Sequence, residues 1–494
     1  LTGAAGWVCR GAMYDIRPVG YIVGLLTASL GVLMLLPMAT DLVAGNDNWL
    51  VFLESAIVTV LVGGLIAVAC LNGVTGGLSL QQSYMLTTGA WVVMPAFGAL
   101  PFMLGAPGVG WVDGYFEAMS GMTTTGATVF VGLDAMPPGT LLWRSLLQWL
   151  GGLGIIIVAL IFLPVMKVGG MQYFRSEGFD TLGKVLPRAL DISKALVEVY
   201  LALTLAAAVI YAVLGMTVFD AVNHALTTIA TGGFSTSDQS FAHFGAGPSY
   251  AAVVLMILSG LPFIRYVQLM NGSLRPLFAD IQIRAFLRWI GYATGLVLAY
   301  RLATSDVGVE LAVRESLFNV VTLFTGTGYS SADVASWGDF PVLVVVLAGF
   351  VGACTASTGC SIKVFRYLVL IEAIKEQIRQ LRSPNRVGQI RLDGRPLGED
   401  VISSVVVMFT LFIVTFGILA VLLSMTGLET RTAITSAWTS ICNVGPAYGP
   451  EVGPTGAFDT FPDSAKMLMI LGMVLGRLEL LTVLVLFTRR FWQG

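Results

Sequence analysis

Long apolar runs joined by short polar connections dominate this chain. Ten of them cover approximately 19–40, 50–71, 84–104, 140–166, 195–216, 249–271, 286–304, 341–370, 402–426 and 466–488. About 20 apolar residues cross a bilayer as a helix, so each run predicts a membrane span. The first, Val19 to Ala39, is long for a signal peptide and ends without a small-residue cleavage site, so it too reads as a span. Four shorter, semi-polar segments lie near 113–126, 219–233, 313–328 and 430–445, each too short to span and each ending in a Thr/Ser/Gly-rich tail. The order is two leading helices, then long–short–long four times. That pattern predicts an all-α polytopic membrane protein in which one architecture is used four times.

The tails read MTTTGATVF (Met122–Phe130), IATGGFSTSD (Ile229–Asp238), FTGTGYSSAD (Phe324–Asp333) and ICNVGPAYG (Ile441–Gly449). Aligned on Gly126, Gly233, Gly328 and Gly445, they recur at periods of 107, 95 and 117 residues. Each short segment opens as an amphipathic helix, with Asp113, Asp220 and Thr430 the expected N-caps of three of them. The chain then divides into an N-terminal two-helix extension (1–80) and four repeats, 81–190, 191–283, 284–395 and 396–494.

Composition narrows the class. Only 11% of the 494 residues are charged and the mean hydropathy is +0.83, whereas soluble domains are roughly a quarter charged. The 27 basic residues nearly balance 29 acidic ones and form no block, which excludes a nucleic-acid partner. The five cysteines show neither zinc spacing nor a disulfide framework, and 57 Gly with 19 Pro point to interrupted, re-entrant backbone. Orientation follows from Lys and Arg. With the four tails outside, 21 basic residues fall on the cytoplasmic side, mostly in loops 167–194, 272–288 and 371–400, and both termini are cytoplasmic. Five (Arg144, Arg301, Arg314, Arg431, Lys466) lie outside and Arg477 sits within a span, while 17 of the 29 acidic residues lie on the outer side.

A cation stripped of water needs a ring of oxygens, and backbone carbonyls of a Thr- and Gly-containing loop can supply one. Glycine is required where a side chain would clash or φ must be positive. One chain with four such loops can close the ring alone. The expected oxygen donors are Thr124, Thr125 and Gly126; Thr231, Gly232 and Gly233; Gly326, Thr327 and Gly328; and Asn443, Val444 and Gly445. A second feature is Phe350–Phe365, FVGACTASTGCSIKVF, where small residues interrupt an apolar run. It reads either as a flexible loop or as a close helix crossing. The third is Arg477, 11 residues after Lys466 and 12 before Arg489, hence about 16–18 Å from either along a helix. A charge at that depth is costly and marks function or a structural salt bridge.

These residues resemble the superfamily of Trk, Ktr and HKT cation transporters, over nearly the whole chain. The resemblance rests on Leu78-Ser-Leu, Phe97-Gly-Ala-Leu-Pro-Phe-Met-Leu, Thr123-Thr-Thr-Gly-Ala-Thr, Ile229-Ala-Thr-Gly-Gly-Phe-Ser-Thr, Ser357-Thr-Gly, Ile362-Lys-Val and Leu475-Gly-Arg-Leu-Glu. The two extra leading helices favour the Trk-type over the shorter Ktr-type subunit. The resemblance implies four helix–pore loop–helix repeats around one pore, K+ as the transported ion bound at the twelve loop residues, a homodimer in the bacterial inner membrane, and control by a cytoplasmic nucleotide-binding, TrkA-like regulatory subunit. Members with Ser for a filter Gly tend to select Na+; here all four Gly are present. It further implies a gate of Arg477 with an intramembrane loop containing Gly352, Thr355, Ser357, Thr358, Gly359, Cys360 and Lys363, although Cys354, Thr355, Cys360 and Ser361 depart from the usual glycine-rich pattern.

No dinucleotide or P-loop motif is present, so no organic cofactor is expected in this chain and nucleotide control would come from a partner. Lys375, Arg379, Arg382, Arg386 and Arg391 could dock it, or merely follow the positive-inside bias. Two competing readings are an H+- or Na+-coupled symporter, which would want an intramembrane carboxylate such as Glu54 or Glu479, and a Na+-permeable relative. A membrane-embedded enzyme lacks its constellation: His224 and His243 are isolated.

Overall fold

In hydrocarbon a chain has no water to satisfy its N–H and C=O groups and must pair them within itself, so the apolar runs become helices. The structure, a computed structural model, describes residues 15–73, 78–162, 170, 189–385 and 388–492. Helices Arg17–Leu33 and Leu35–Ala44 run one way and Trp49–Cys70 returns alongside the first. They pack backbone to backbone: a Cβ on Gly24 would stand 2.6 Å from the Ala67 nitrogen and one on Gly63 2.5 Å from that of Ala28, the close approach that small residues permit.

Four units follow, each an outer helix, a short pore helix and an inner helix. The outer helices are Leu80–Gly98, Ala189–Val213, Ile281–Thr304 and Glu399–Met425. The pore helices are Trp111–Met122, Val218–Ile229, Val309–Thr325 and Thr430–Cys442. The inner helices begin at Pro138–Ile157, Ala246–Ser259, Asp339–Val351 and Asp463–Arg477. Each inner helix packs against the pore helix of the next unit, and the fourth packs against the first, so the units close a ring. One apolar core joins mainly units 2 and 3, and another joins the leading helices to units 1 and 4.

Three sequence expectations change. Among the described residues six helices are long and apolar enough to cross a membrane unbroken, not ten. The runs at 249–271 and 466–488 bend by 89° and 104°, 341–370 is interrupted by non-helical backbone between Val351 and Val364, and 286–304 lies in the continuous helix Ile281–Thr304, which is not apolar enough to count. Arg477 is the last residue before the second of those bends, so no continuous helix links it to Arg489. Asp113, Asp220 and Thr430 are not N-caps. Gly110, Thr217 and Glu429 hold those places, and the two aspartates sit in the first turn, where a carboxylate faces the positive end of the helix dipole. Asp113 is also bound by Lys466 of the last inner helix at 2.6 Å. Most of the basic segment 167–194, and Arg386, lie outside the described residues.

Candidate functional site

Each pore helix ends where its loop turns back, and the turn is built the same way four times. The residue two before the aligned glycine has positive φ (Thr124 51°, Thr231 50°, Gly326 77°, Asn443 51°), and so does the glycine itself (Gly126 84°, Gly233 83°, Gly328 84°, Gly445 99°). The residue between, Thr125, Gly232, Thr327 or Val444, does not. Alternating handedness turns successive carbonyls toward a common side, at the cost of left-handed backbone that side chains disfavour.

The glycines also report how the loops meet. A Cβ on Gly126 would stand 2.3 Å from the Gly232 carbonyl oxygen, on Gly233 2.0 Å from that of Thr327, on Gly328 2.0 Å from that of Val444, and on Gly445 3.0 Å from that of Thr125. The contacts run from unit 1 to 2, 2 to 3, 3 to 4 and back to 1. The twelve expected donors are thus brought together in one closed ring of loop tips.

Side chains behind the ring differ between units. Hydroxyl pairs Thr123–Thr125 (2.7 Å) and Thr325–Thr327 (2.8 Å) brace the first and third loops. Asn443 Nδ2 donates to Thr125 Oγ1 and to the Met473 carbonyl, both at 2.9 Å. In the second loop the brace comes from the neighbouring inner helix: Gln148 Nε2 donates to the Gly232 carbonyl at 2.6 Å, and its Oε1 accepts from Phe234 N at 3.0 Å. A polar residue recurs nine positions before each glycine, at Glu117, His224, Asn319 and Ser436, and the first three tie down the returning loop. Glu117 accepts from Val129 N (3.0 Å) and Thr128 Oγ1 (2.9 Å), His224 Nε2 meets Ser235 Oγ (3.0 Å), and Asn319 Nδ2 donates to Ser331 Oγ (2.9 Å). Ser436 is buried without such a bond, and Thr435 Oγ1 bonds to Tyr448 instead. Glu117 carries a buried charge answered by Arg144 at 2.7 Å; Arg144 also donates to the Ser235 carbonyl (3.0 Å) and stacks over Phe234 (4.1 Å), joining units 1 and 2.

The interruption after Asp339–Val351 is a buried, irregular loop with positive φ at Gly352, Ala356, Ser361 and Lys363. It lies against the ring. Thr124 Oγ1 is 3.7 Å from Cys360 Sγ, Ser361 Oγ donates to the Cys442 carbonyl (3.1 Å), and a Cβ on Gly359 would stand 2.9 Å from the Thr325 carbonyl oxygen. Thr355 N donates to Gln282 Oε1 (3.1 Å), while Ser357 Oγ donates to the Cys354 carbonyl (2.7 Å). Arg477 reaches across: Nη1 donates to the Thr358 carbonyl (3.2 Å) and to Cys360 Sγ (2.6 Å), and Nη2 to the Gly151 carbonyl (3.3 Å). Among the described residues no carboxylate pairs with it. Lys363 and Arg366 both pair with buried Glu479, at the bend of the last inner helix.

The loop tips, the interruption and Arg477 are legible in the sequence. Gln148, Glu117 with Arg144, and Arg366 emerge from the structure. Reading the four segments in register would have exposed Glu117, the one carboxylate among four polar residues at a shared position.

The chain matches the TrkH cation transport protein family model over residues 50–493. It is 36% identical over 478 residues to the Trk system potassium uptake protein TrkI of Halomonas elongata, covering 96% of this chain and 97% of that one. To the Trk system potassium uptake protein TrkH of Escherichia coli (strain K12) it is 32% identical over 487 residues, covering 97% and 99%. The crystal structure of the potassium transporter TrkH from Vibrio parahaemolyticus superposes with a TM-score of 0.87 at 30% identity, covering 96% of this chain and 99% of that one. With the match spanning nearly the whole chain and the fold alike, this protein belongs to the TrkH family of cation transport proteins.

Proposed function

We propose that this chain is a potassium uptake subunit of a Trk system. K+ sheds its water and passes through a filter of backbone carbonyls from Thr124–Gly126, Thr231–Gly233, Gly326–Gly328 and Asn443–Gly445. The observation that carries this reading is the closed relay of glycine-to-carbonyl contacts around all four loops. A ring that closes within one chain can match a single ion size. The named relatives, all potassium uptake proteins, support K+ as the ion.

Beneath the filter, the loop from Gly352 to Lys363 and the guanidinium of Arg477 form the gate: a fixed positive charge in the ion path repels K+. The helix Val364–Arg382 starts directly after Lys363 and exposes Lys375, Arg379 and Arg382. It offers a rigid link from the gate to a cytoplasmic nucleotide-binding regulator. The same reading has a homodimer in the inner membrane with both termini cytoplasmic, and the repeat boundaries 81–190, 191–283, 284–395 and 396–494. Passive flow is favoured over coupling. Glu479 is held by Lys363 and Arg366, Glu117 by Arg144, and Glu54 lies on an exposed helix face, so none is a free proton or Na+ carrier in the path.

The test is tracer rubidium or K+ uptake into liposomes bearing the purified protein. The expected result is uptake down the K+ gradient, little reduced by excess Na+ and indifferent to a pH gradient. Uptake only with an imposed H+ or Na+ gradient would replace this reading with a symporter.

A further inference from the structure

Position 232 is the odd one in the ring. The residue before the aligned glycine is Thr125 in the first loop, Thr327 in the third and Val444 in the fourth, but Gly232 in the second. Its φ is not positive, so backbone conformation does not demand glycine there. Space does: a Cβ on Gly232 would stand 2.3 Å from Gln148 Cδ and 2.8 Å from its Nε2. The Gln148 amide, fully buried on the inner helix of unit 1, occupies the volume that a residue-232 side chain would fill.

The amide also makes two directed bonds there. Nε2 donates to the Gly232 carbonyl at 2.6 Å and Oε1 accepts from Phe234 N at 3.0 Å, spanning Gly233 between them. That carbonyl is the one against Gly126 in the ring. None of the other three carbonyls at this level (Thr125, Thr327, Val444) accepts a side-chain hydrogen bond from a described residue. A donor on one carbonyl fixes its direction and draws electron density from it, which alters both the size and the field strength felt by a bound ion.

We propose that Gln148 is a selectivity-determining positioning residue, whose side-chain amide replaces the side chain that residue 232 lacks and holds the Gly232 carbonyl in the ion-coordinating ring. The inference rests on the filter reading above. Its test separates the two.

In reconstituted liposomes the K+ to Na+ flux ratio is measured for Q148E, Q148M, the double variant Q148A/G232T, and G233S as a filter control. Q148E keeps the acceptor for Phe234 N and replaces the donor to Gly232 by a repelling oxygen; Q148M removes both bonds. Each is expected to lower the ratio by about three- to tenfold, the range set by losing the one bond to the Gly232 carbonyl that both variants lack. Q148A/G232T refills the volume from the loop itself, as in units 1 and 3, and is expected to recover the ratio to within about twofold of wild type on the same scale. A purely structural Gln148 would change protein yield and total flux but leave the ratio alone. If G233S shifts the ratio while Q148E and Q148M do not, the role of Gln148 is overturned and the filter stands; if none of the three shifts it, the filter reading falls. Should both single variants fail to accumulate, the double variant decides: a recovered ratio supports the proposal, and a shifted ratio or failure to accumulate overturns it.

Discussion

Replacing Gly233 by alanine puts a methyl group at one of the two tightest approaches in the ring, the other being Gly328. At φ 83° an L side chain is strained, costing about 1–2 kcal/mol. The larger effect is steric. The new Cβ would lie 2.0 Å from the Thr327 carbonyl oxygen, and real Cβ atoms essentially never approach within 3.0 Å, so that oxygen must retreat by the difference, 1.0 Å. An ion–carbonyl contact stretched so far is lost, and a hydrogen bond to a charged group is worth about 1.5–3 kcal/mol; taking that as the scale, K+ affinity should drop roughly ten- to a hundredfold. Gly445→Ala is the internal control: its φ of 99° carries similar strain, but its Cβ would stand 3.0 Å from the Thr125 oxygen. The assay is K+ uptake against Na+ competition in liposomes, with melting temperature in detergent read alongside. Gly233→Ala should lose selectivity and Gly445→Ala should lose distinctly less, at similar thermal stability. Equal or greater loss in Gly445→Ala would refute the steric reasoning.

Other expectations follow from the same geometry. Arg477→Ala should raise basal K+ flux because the fixed charge is gone, and Cys360→Ala should raise it less, since Arg477 keeps its bonds to the Thr358 and Gly151 carbonyls; unchanged or lower flux in both would argue against the barrier. Arg144→Met leaves Glu117 buried without its partner and should destabilise the protein by about 3–5 kcal/mol, read as a lower melting temperature, with Arg144→Met/Glu117→Met recovering part of it. In the loop between the pore helix and the inner helix of unit 4, hydrogen bonds from Thr432 Oγ1 and Glu429 N hold the Glu451 carboxyl below its ordinary range. A depressed carboxyl stabilises the fold above its unfolded pKa, about 4.3, and that contribution disappears as pH falls through the lower folded value. The melting-temperature gap between wild type and Glu451→Gln should therefore be constant near neutrality and close only below about pH 4; a gap closing between pH 6 and 7 would contradict it.

What could be read from the sequence was whatever repeats or stands out locally. Four glycines at similar periods and an arginine in an apolar run are visible without coordinates, and so is the small-residue break at Gly352–Lys363. Bends are harder, because apolar composition permits a helix without requiring it to be straight; the turn at Glu479, with φ 57° and both Lys363 and Arg366 on its carboxylate, depends on residues more than 110 positions apart. The expected caps lie one to three residues inside the helices, and for Asp113 and Asp220 the reason is that Asp suits both an N-cap and a first turn. Gln148 was invisible for a different reason. Nothing in the sequence of its own helix marks it, and its role is legible only as the absence of a side chain at Gly232 in another unit.

The most direct measurement of the central claim is anomalous diffraction from crystals grown with Rb+ or Tl+ in place of K+. The account predicts peaks on the axis of the ring, within coordination distance of the Thr125, Gly232, Thr327 and Val444 carbonyl oxygens. Ordered ions bound elsewhere, with none at that ring, would contradict it.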